Sequence, residues 1–450
     1  RLPSKLFPEP EFNEMLFKKD FMEGIMPMLT SSDEVIRKSK RLRSIPGGVA
    51  IASGTLRTAT EFGRTARAFQ LTYDLGTQFL QGAMVMYNHP VAWVRSFAKS
   101  LNSWNNPAKI QEYLDQPSTK EVLQWAQGKL HIGSTEFTEG FRRGGTIDKV
   151  IGSVPVARRT TEKFKTGFDA FGDAARVEIF KSFLPAVKAG RATVDEVANY
   201  ANKMTGITSS RRFGIGATQR ELEAAMISLA PNYLRATTAL MADAIQIFTS
   251  PGRFESQQAL YALTKFFGGT VLTYVGICMA LGQPVRLNPR KKDEGGDGGL
   301  FMTMEIDNQT VGLGTKPYAI ARKLVAAAQA LNDNKKMEAV LYLKDFFRGQ
   351  AAPISTTMWD NIRGETFMSE PVQTKGERLT SASSRLLPFW LEAAILDDPK
   401  PSAFGTTADF LGLRSWPLNY TDIMDQLGEQ LVTRIPADIL DDFLYENQKK

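Results

Sequence analysis

Few residues in this chain of 450 have the types and spacing that catalysis requires. The only two histidines are His89 in "YNHPVAW" and His131 in "GKLHIG", and neither has a nucleophile, a metal ligand or a carboxylate beside it in sequence. Both are interpreted as structural or surface residues. The acidic doublets at 397–398 and 441–442 are adjacent in sequence, and adjacent helical positions do not face each other. We therefore predict no catalytic residues and no enzymatic activity, although a longer parent chain could carry an enzyme in another domain.

Phosphate-binding and metal-binding patterns are incomplete. The stretch "RRFGIGATQRE" has Gly214 and Gly216 before a helix start, which could hold an anion, but a third glycine and a preceding strand are missing. A turn before a capped helix is the favoured interpretation. The loop "DEGGDGG" lacks the spacing and the closing Glu of a calcium loop. The single cysteine, Cys278, excludes an internal disulfide and a cysteine-based zinc site. No metal and no cofactor are predicted.

Clustered cations could contact phosphate groups. The net charge is +7, from 55 basic and 48 acidic residues, which permits contact with nucleic acid or anionic lipid without requiring either. The candidate phosphate contacts are Arg37, Lys38, Lys40, Arg41, Arg43, Arg142, Arg143, Arg158, Arg159, Arg211 and Arg212. For the run at 37–43, a solvated helix face is the favoured interpretation and a phosphate-binding patch is the alternative.

An apolar segment is the other candidate site. The stretch from Phe266 to Val285 carries no charged side chain, and about twenty such residues can cross the hydrocarbon core of a bilayer. Four glycines and two threonines interrupt it, which is typical of closely packed helices. It is interpreted as a core helix buried in the soluble fold, with later membrane insertion as the alternative. The candidate contacts with a membrane or a partner are Phe266, Phe267, Val271, Leu272, Val275, Ile277, Met279 and Leu281.

The elements that would position these residues are mostly helices. Thr193 and Glu196 have the spacing of a capping box, in which each side chain bonds the other residue's backbone N–H, and Gly206 predicts where that helix ends. A second capping box is predicted at 218–221. The fold class is therefore predicted to be mainly α.

One β-hairpin is predicted at about 301–314, where apolar and polar residues alternate on both sides of "DNQ". Repeated prolines then predict an irregular C-terminal part. The predicted regions are an extended basic arm at 1–48, a helical domain at 49–260, the apolar helix, charged loop and hairpin at 261–315, and a C-terminal helical, Pro-punctuated region at 316–450 that packs on the rest. Because the sequence begins with Arg1, we expect a piece of a longer or processed chain.

Four long phrases follow one another in a fixed order. They are "LTYDLGTQFLQGAMVMYNHPVAWVRSF", "VPVARRTTEKFKTGFDAFGDAARVEIF", "ANYANKMTGITSSRRFGIGATQRELEAAMISLAPNYLRATTALMADAI" and "FFRGQAAPISTTMWDNIRGETFMSEPV". Together they resemble the helical domain of the large polyvalent proteins of tailed bacteriophages, over roughly residues 67–413. No phrase is a catalytic signature.

The resemblance implies a packaged internal virion protein, or ejection protein, that leaves the head with the genome and contributes to DNA translocation across the host envelope. The implied location is the capsid interior and then the host envelope or cytoplasm. The implied partners are further copies of the chain and other virion proteins at the portal or core, with non-specific DNA and the host membrane as further contacts. The family supplies no catalytic residues.

Two alternatives stay open at this point. The chain could be a head-internal protein that accompanies DNA and protects it from host defence, or another structural component of the particle; the basic clusters would then matter most. It could also be a cytosolic enzyme whose site is assembled from residues without a recognisable motif.

Any binding to nucleic acid is predicted to be electrostatic and independent of base sequence, because the clustered cations belong to no base-reading motif. Retention of the protein on DNA should fall steeply as salt rises from low to physiological concentration. Retention that stays constant over that range, measured with two DNA sequences of equal length, would contradict this prediction.

Overall fold

A computed structural model describes residues 78–79, 82–133, 155–208, 231–290, 295–307, 309–312, 316–333, 400–411 and 413–417, with a few single positions between 335 and 395. Within these residues the protein is mainly helical with one small antiparallel sheet, which confirms the predicted fold class. The helices are α1 (Ala83–Asn88), α2 (Pro90–Asn105), α3 (Ala108–Leu114), α4 (Pro117–Ala126), α5 (Pro155–Lys188), α6 (Val194–Met204), α7 (Pro231–Ile245), α8 (Phe254–Leu281), α9 (Lys316–Asn332) and α10 (Ala403–Phe410). The strands are β1 (Thr303–Ile306), β2 (Gln309–Gly312) and β3 (Arg414–Pro417).

The chain divides into two compact units. The first comprises residues 1–271 and 315–388, and the second comprises 272–314 and 389–450. The domain boundaries given above stay predictions. The basic arm at 1–48 and the second capping box at 218–221 lie outside the described residues.

Helices α2 and α5 of the first unit approach each other closely because their facing residues are small. The buried side of α2 consists of Ala92, Ser96, Ser100 and Ser103. Ser100 donates a hydrogen bond of 2.7 Å to the carbonyl oxygen of Gly167 on α5. A Cβ atom at Gly167 would lie 1.6 Å from Nε1 of Trp104, so this contact requires glycine. Of the other apolar residues of α2, Val91, Val94 and Leu101 are exposed, whereas Trp93, Phe97 and Trp104 are half-buried.

Buried charges on α5 fix the segments around it. Arg176 has no exposed surface, and its guanidinium forms a 2.5 Å ion pair with Asp173 and donates to the hydroxyl of Thr205 at 3.2 Å. The same carboxylate accepts the backbone N–H of Gly133 at 3.0 Å. Because a buried charge is costly without partners, these contacts specify where the chain before α5 and the end of α6 must lie.

A second polar contact joins α5 to α2 and α3. Glu178 accepts a 2.8 Å hydrogen bond from the hydroxyl of Tyr113 and forms a 3.0 Å ion pair with Arg95. Burial, with a contribution from the neighbouring carboxylate of Glu178, raises the pKa of Tyr113 well above its usual value. Tyr113 therefore stays a neutral donor at physiological pH.

Both predicted ends of α6 are confirmed. Thr193 and Glu196 form the capping box, with the backbone N–H of Glu196 bonded to the Thr193 hydroxyl at 3.2 Å and that of Thr193 to the Glu196 carboxylate at 2.9 Å. The helix ends before Gly206, whose φ is +77°. A Cβ atom there would also lie 2.5 Å from the ring of Tyr233, so glycine is required for two reasons.

The predicted hairpin forms two strands, β1 and β2, of a three-stranded sheet in the second unit. Strands β1 and β2 pair antiparallel from Thr303 opposite Gly312 to Ile306 opposite Gln309, and Asp307 in the turn has a φ of +53°. Strand β3 adds to the free edge of β2, which the sequence did not predict because four residues ending in proline carry too little strand pattern.

Replacing Gly167 by alanine should lower the free energy of unfolding by about 1–2 kcal/mol, because the new methyl group collides with Trp104 and the gain in helix propensity offsets only part of that cost. Gly268→Ala is the matched control, since no atom lies within 4 Å of the added Cβ and a helix interior favours alanine by about 0.5–1 kcal/mol. Urea unfolding of both variants measures the difference, and stabilisation by Gly167→Ala would contradict the close approach.

Candidate functional site

Helix α8 is the best candidate for a functional surface. Among the described residues it is the one helix long and apolar enough to cross a membrane by length and composition. The core helix of a soluble protein can satisfy the same criteria, but such a helix is mostly buried. The buried fraction therefore distinguishes a core helix from a helix that could contact a membrane. Only 28% of the most apolar stretch of α8 is buried, whereas a core helix would be mostly buried.

The helix ends earlier than the apolar segment. Gly282 adopts a φ of +67°, and Gln283 donates its backbone N–H to the carbonyl oxygen of Cys278 at 2.8 Å, which closes the helix. The uncharged helical part, Phe266–Leu281, is therefore about 24 Å long at 1.5 Å per residue. Residues 282–285, which the sequence included in the segment, lie beyond the helix.

One narrow stripe of α8 is buried. Its members recur every three or four residues and are Glu255, Ala259, Ala262, Phe266, Thr270, Tyr274 and Cys278. Small and polar residues make up most of this stripe, so little apolar area is removed from water along it. Polar and aromatic contacts must contribute much of what holds the helix.

In the first unit, these contacts reach the backbone of α8. The side-chain amide of Asn88 donates a 3.1 Å hydrogen bond to the backbone carbonyl oxygen of Ala262. The hydroxyl of Tyr318 donates a 3.0 Å hydrogen bond to the backbone carbonyl oxygen of Phe267. The Phe266 ring lies 5.7 Å from the ring of Tyr318, centre to centre. The helix is thus positioned by a few directed contacts.

In the second unit, the end of α8 is joined to the sheet. The hydroxyl of Tyr274 donates to the carbonyl oxygen of Thr303 at 3.0 Å and accepts the backbone N–H of Arg286 at 2.9 Å. Gln283 exchanges two hydrogen bonds with the backbone of Glu305, whose carboxylate forms an ion pair with Arg286 at 2.9 Å. The chain leaving α8 is therefore held against β1.

The opposite side of α8 presents large apolar residues to the surface. Leu272 and Met279 on this side are 73% and 74% exposed. Leu281 is also exposed, but it lies in the last turn on the side of Tyr274. Of the other segment residues singled out from the sequence, Phe266 is buried, whereas Phe267, Val271, Val275 and Ile277 are half-buried. The expectation of a buried core helix is therefore wrong for this side. Because the buried stripe contains several small residues, α8 contacts the rest of the protein along a narrow strip, and the large residues Leu272 and Met279 stay exposed to solvent.

Charge is nearly absent from the exposed side. Lys265 is the one charged residue between Ser256 and Val285. Its ammonium group lies 4.5 Å from the ring centre of Tyr261, which is also exposed. The outer surface of α8 thus combines aliphatic residues with one cation beside an aromatic ring, and it carries no carboxylate.

Of the predicted phosphate contacts, two lie within described helices. Arg158 and Arg159 belong to α5, and Arg159 is exposed. The other nine cations, Arg37, Lys38, Lys40, Arg41, Arg43, Arg142, Arg143, Arg211 and Arg212, lie outside the described residues. A phosphate-binding surface stays a prediction.

His89 is part of an aromatic cluster. Its Nε2 lies 3.1 Å from the hydroxyl of Tyr200, and its ring makes edge contacts with Tyr200 and Phe183. Burial, with a smaller contribution from Lys265, lowers the pKa of His89 to about 4. These contacts agree with a structural role. No group of three or more histidine, cysteine, aspartate or glutamate residues suited to a metal occurs in the described part of the chain.

Comparisons of this chain with protein-family models, with characterised proteins and with solved structures find no match. The function must therefore be inferred from the sequence phrases and from the surface of α8. Sequence reasoning located the apolar segment, but which side faces outward depends on tertiary contacts such as those of Asn88 and Tyr318.

Protonation of His89 should destabilise the fold. Its folded-state pKa of about 4 lies below the usual value near 6.5, so the unfolded chain binds more protons between these pH values. Stability is then fully present above pH 6.5 and falls as the pH drops, by about 3 kcal/mol down to pH 4. Urea unfolding at pH 7.5 and 4 should show this loss relative to His89→Gln, which cannot titrate. Equal pH dependence of the two proteins would contradict it.

Proposed function

We propose that this protein is an internal virion protein of a tailed bacteriophage that leaves the head with the genome and acts at the host envelope. It has no catalytic role and works as an oligomer with other virion proteins. The four ordered phrases across residues 71–372 support this proposal through their resemblance to the polyvalent proteins. The local feature that carries it is the exposed apolar side of α8.

An exposed apolar side is costly in a protein that stays in water. Burying a Leu or Met side chain is worth about 1.5–3 kcal/mol, so covering Leu272 and Met279 together would contribute about 3–6 kcal/mol. Exposed apolar patches of this kind mark surfaces that contact other proteins or membranes. In the virion, neighbouring proteins would cover this side, and a bilayer would cover it after release.

The shape of α8 favours a helix that lies along the membrane surface. The uncharged part of about 24 Å is shorter than the hydrocarbon core of about 30 Å. Crossing would place Lys265 or the non-helical residues 282–285 within the hydrocarbon, where exposed backbone groups cannot be satisfied. A helix in the interface keeps its buried stripe on the protein and inserts its opposite side by about 5–10 Å.

Tyr261 and Lys265 fit the same arrangement. Aromatic side chains with a polar group are enriched at the membrane interface, and lysine can extend its ammonium group toward the headgroups. Because the exposed side of α8 has one cation and no carboxylate, anionic headgroups would not be repelled.

The protein should float with vesicles of phosphatidylcholine and phosphatidylglycerol in a density gradient. Met279→Glu should reduce the floating fraction several-fold, because a carboxylate replaces a side chain that enters the apolar layer. Met337→Glu is the matched control, since Met337 is equally exposed at 72% and lies outside α8. Both variants should keep the melting temperature of the unmodified protein within a few degrees.

Mass spectrometry of purified phage particles tests the virion assignment separately. The chain should be present inside particles and lost from them when the genome is ejected. Absence from particles would contradict the proposal, and salt-sensitive retention on DNA without vesicle binding would favour the DNA-protecting alternative.

A further inference from the structure

A buried group of charges surrounds the start of α8. Lys203 lies on α6, Asp243 on α7 and Glu255 in the first turn of α8, and Arg253 immediately precedes α8. The side chains of Lys203 and Asp243 are 12% and 10% exposed and that of Glu255 is 2% exposed, whereas the side chain of Arg253 is 43% exposed. Three helices of the first unit thus meet at charged groups that have little access to water.

One ammonium group joins the three helices. Nζ of Lys203 lies 3.2 Å from Oε1 of Glu255 and forms a second, closer ion pair with Asp243. The guanidinium of Arg253 pairs with the other oxygen of Glu255 and donates to Oε1 of Gln246 at 2.8 Å. Two cations therefore balance two carboxylates. Asp243 and Glu255 each pair with Lys203 of α6, and Glu255 also pairs with Arg253, which immediately precedes α8.

Such a cluster holds a helix in place only while all of its charged partners are present. Buried ion pairs contribute little net stability relative to water, but removing one partner is strongly unfavourable because a buried charge is left unpaired. The neighbouring buried residues Ala259 and Ala262 contribute only small apolar areas, and Phe254 adds one edge contact with the ring of Phe183 at 5.2 Å. The attachment of the first turns of α8 therefore depends in large part on the charged partners.

We propose that the Lys203 cluster, which comprises Lys203, Asp243, Arg253 and Glu255, is a latch that holds the start of α8 on α6 and α7. While the latch is closed, only the outer side of α8 is available to a bilayer. When it opens, the buried charges of Lys203, Asp243 and Glu255 become hydrated and the first turns of α8 detach, so the helix can settle further into the interface. The step after opening rests on the proposed membrane function, whereas the latch itself does not.

Lys203→Met tests the latch because it leaves two carboxylates facing each other without the ammonium group. The backbone amides of residues 255–265 should exchange hydrogen at least about tenfold faster than in the unmodified protein, measured by mass spectrometry without lipid. The fraction floating with phosphatidylcholine and phosphatidylglycerol vesicles should rise several-fold. Lys129→Met is the control, because Lys129 forms a 3.2 Å pair with Asp195 in which both side chains are about half exposed.

Glu255→Gln provides a second variant if Lys203→Met fails to fold by circular dichroism. It keeps the shape and a hydrogen-bonding oxygen but removes one charge, so faster exchange at 255–265 is again expected. Unchanged exchange in the folded variants overturns the latch, whatever the vesicles show. Faster exchange with no flotation of any protein supports the latch and contradicts the proposed membrane function.

Discussion

Close contact between helices through small residues is the constraint on which the rest of this structure depends. Ser100 and Gly167 bring α2 against α5, and Ala259 and Ala262 line the buried stripe of α8. A helix that packs through small side chains must direct its large apolar residues elsewhere. On α8 these residues face outward, and that outward side is the surface to which we assign the function.

Polar contacts compensate for the small apolar area in these interfaces. Two groups are buried and paired, Arg176 with Asp173 and Lys203 with Asp243 and Glu255, and each joins more than one segment of the first unit. Directed contacts of this kind specify one arrangement while they add little net stability. A helix held in this way can leave its site at moderate cost, which fits the membrane role proposed for α8.

Local patterns predicted much of the fold. The capping box of α6, its end at Gly206 and the hairpin all follow from residues near one another in sequence. Gly282 with the nearby Pro284 is a helix-end signal that could have shown where α8 stops. The outward direction of Leu272 and the Lys203 cluster could not be predicted, because residues 203, 243 and 255 meet only through tertiary packing.

The central claim is that the outer side of α8 lies in a bilayer interface, and depth measurement with spin labels tests it most directly. Labels at Leu272→Cys and Met279→Cys, each in a Cys278→Ser background, would be compared for collision with oxygen and with a water-soluble relaxant in vesicles. The predicted result is a similar shallow depth of about 5–10 Å for both labels. Depths that differ by about 10 Å, as seven residues along a crossing helix require, or labels that stay in water, would contradict the account.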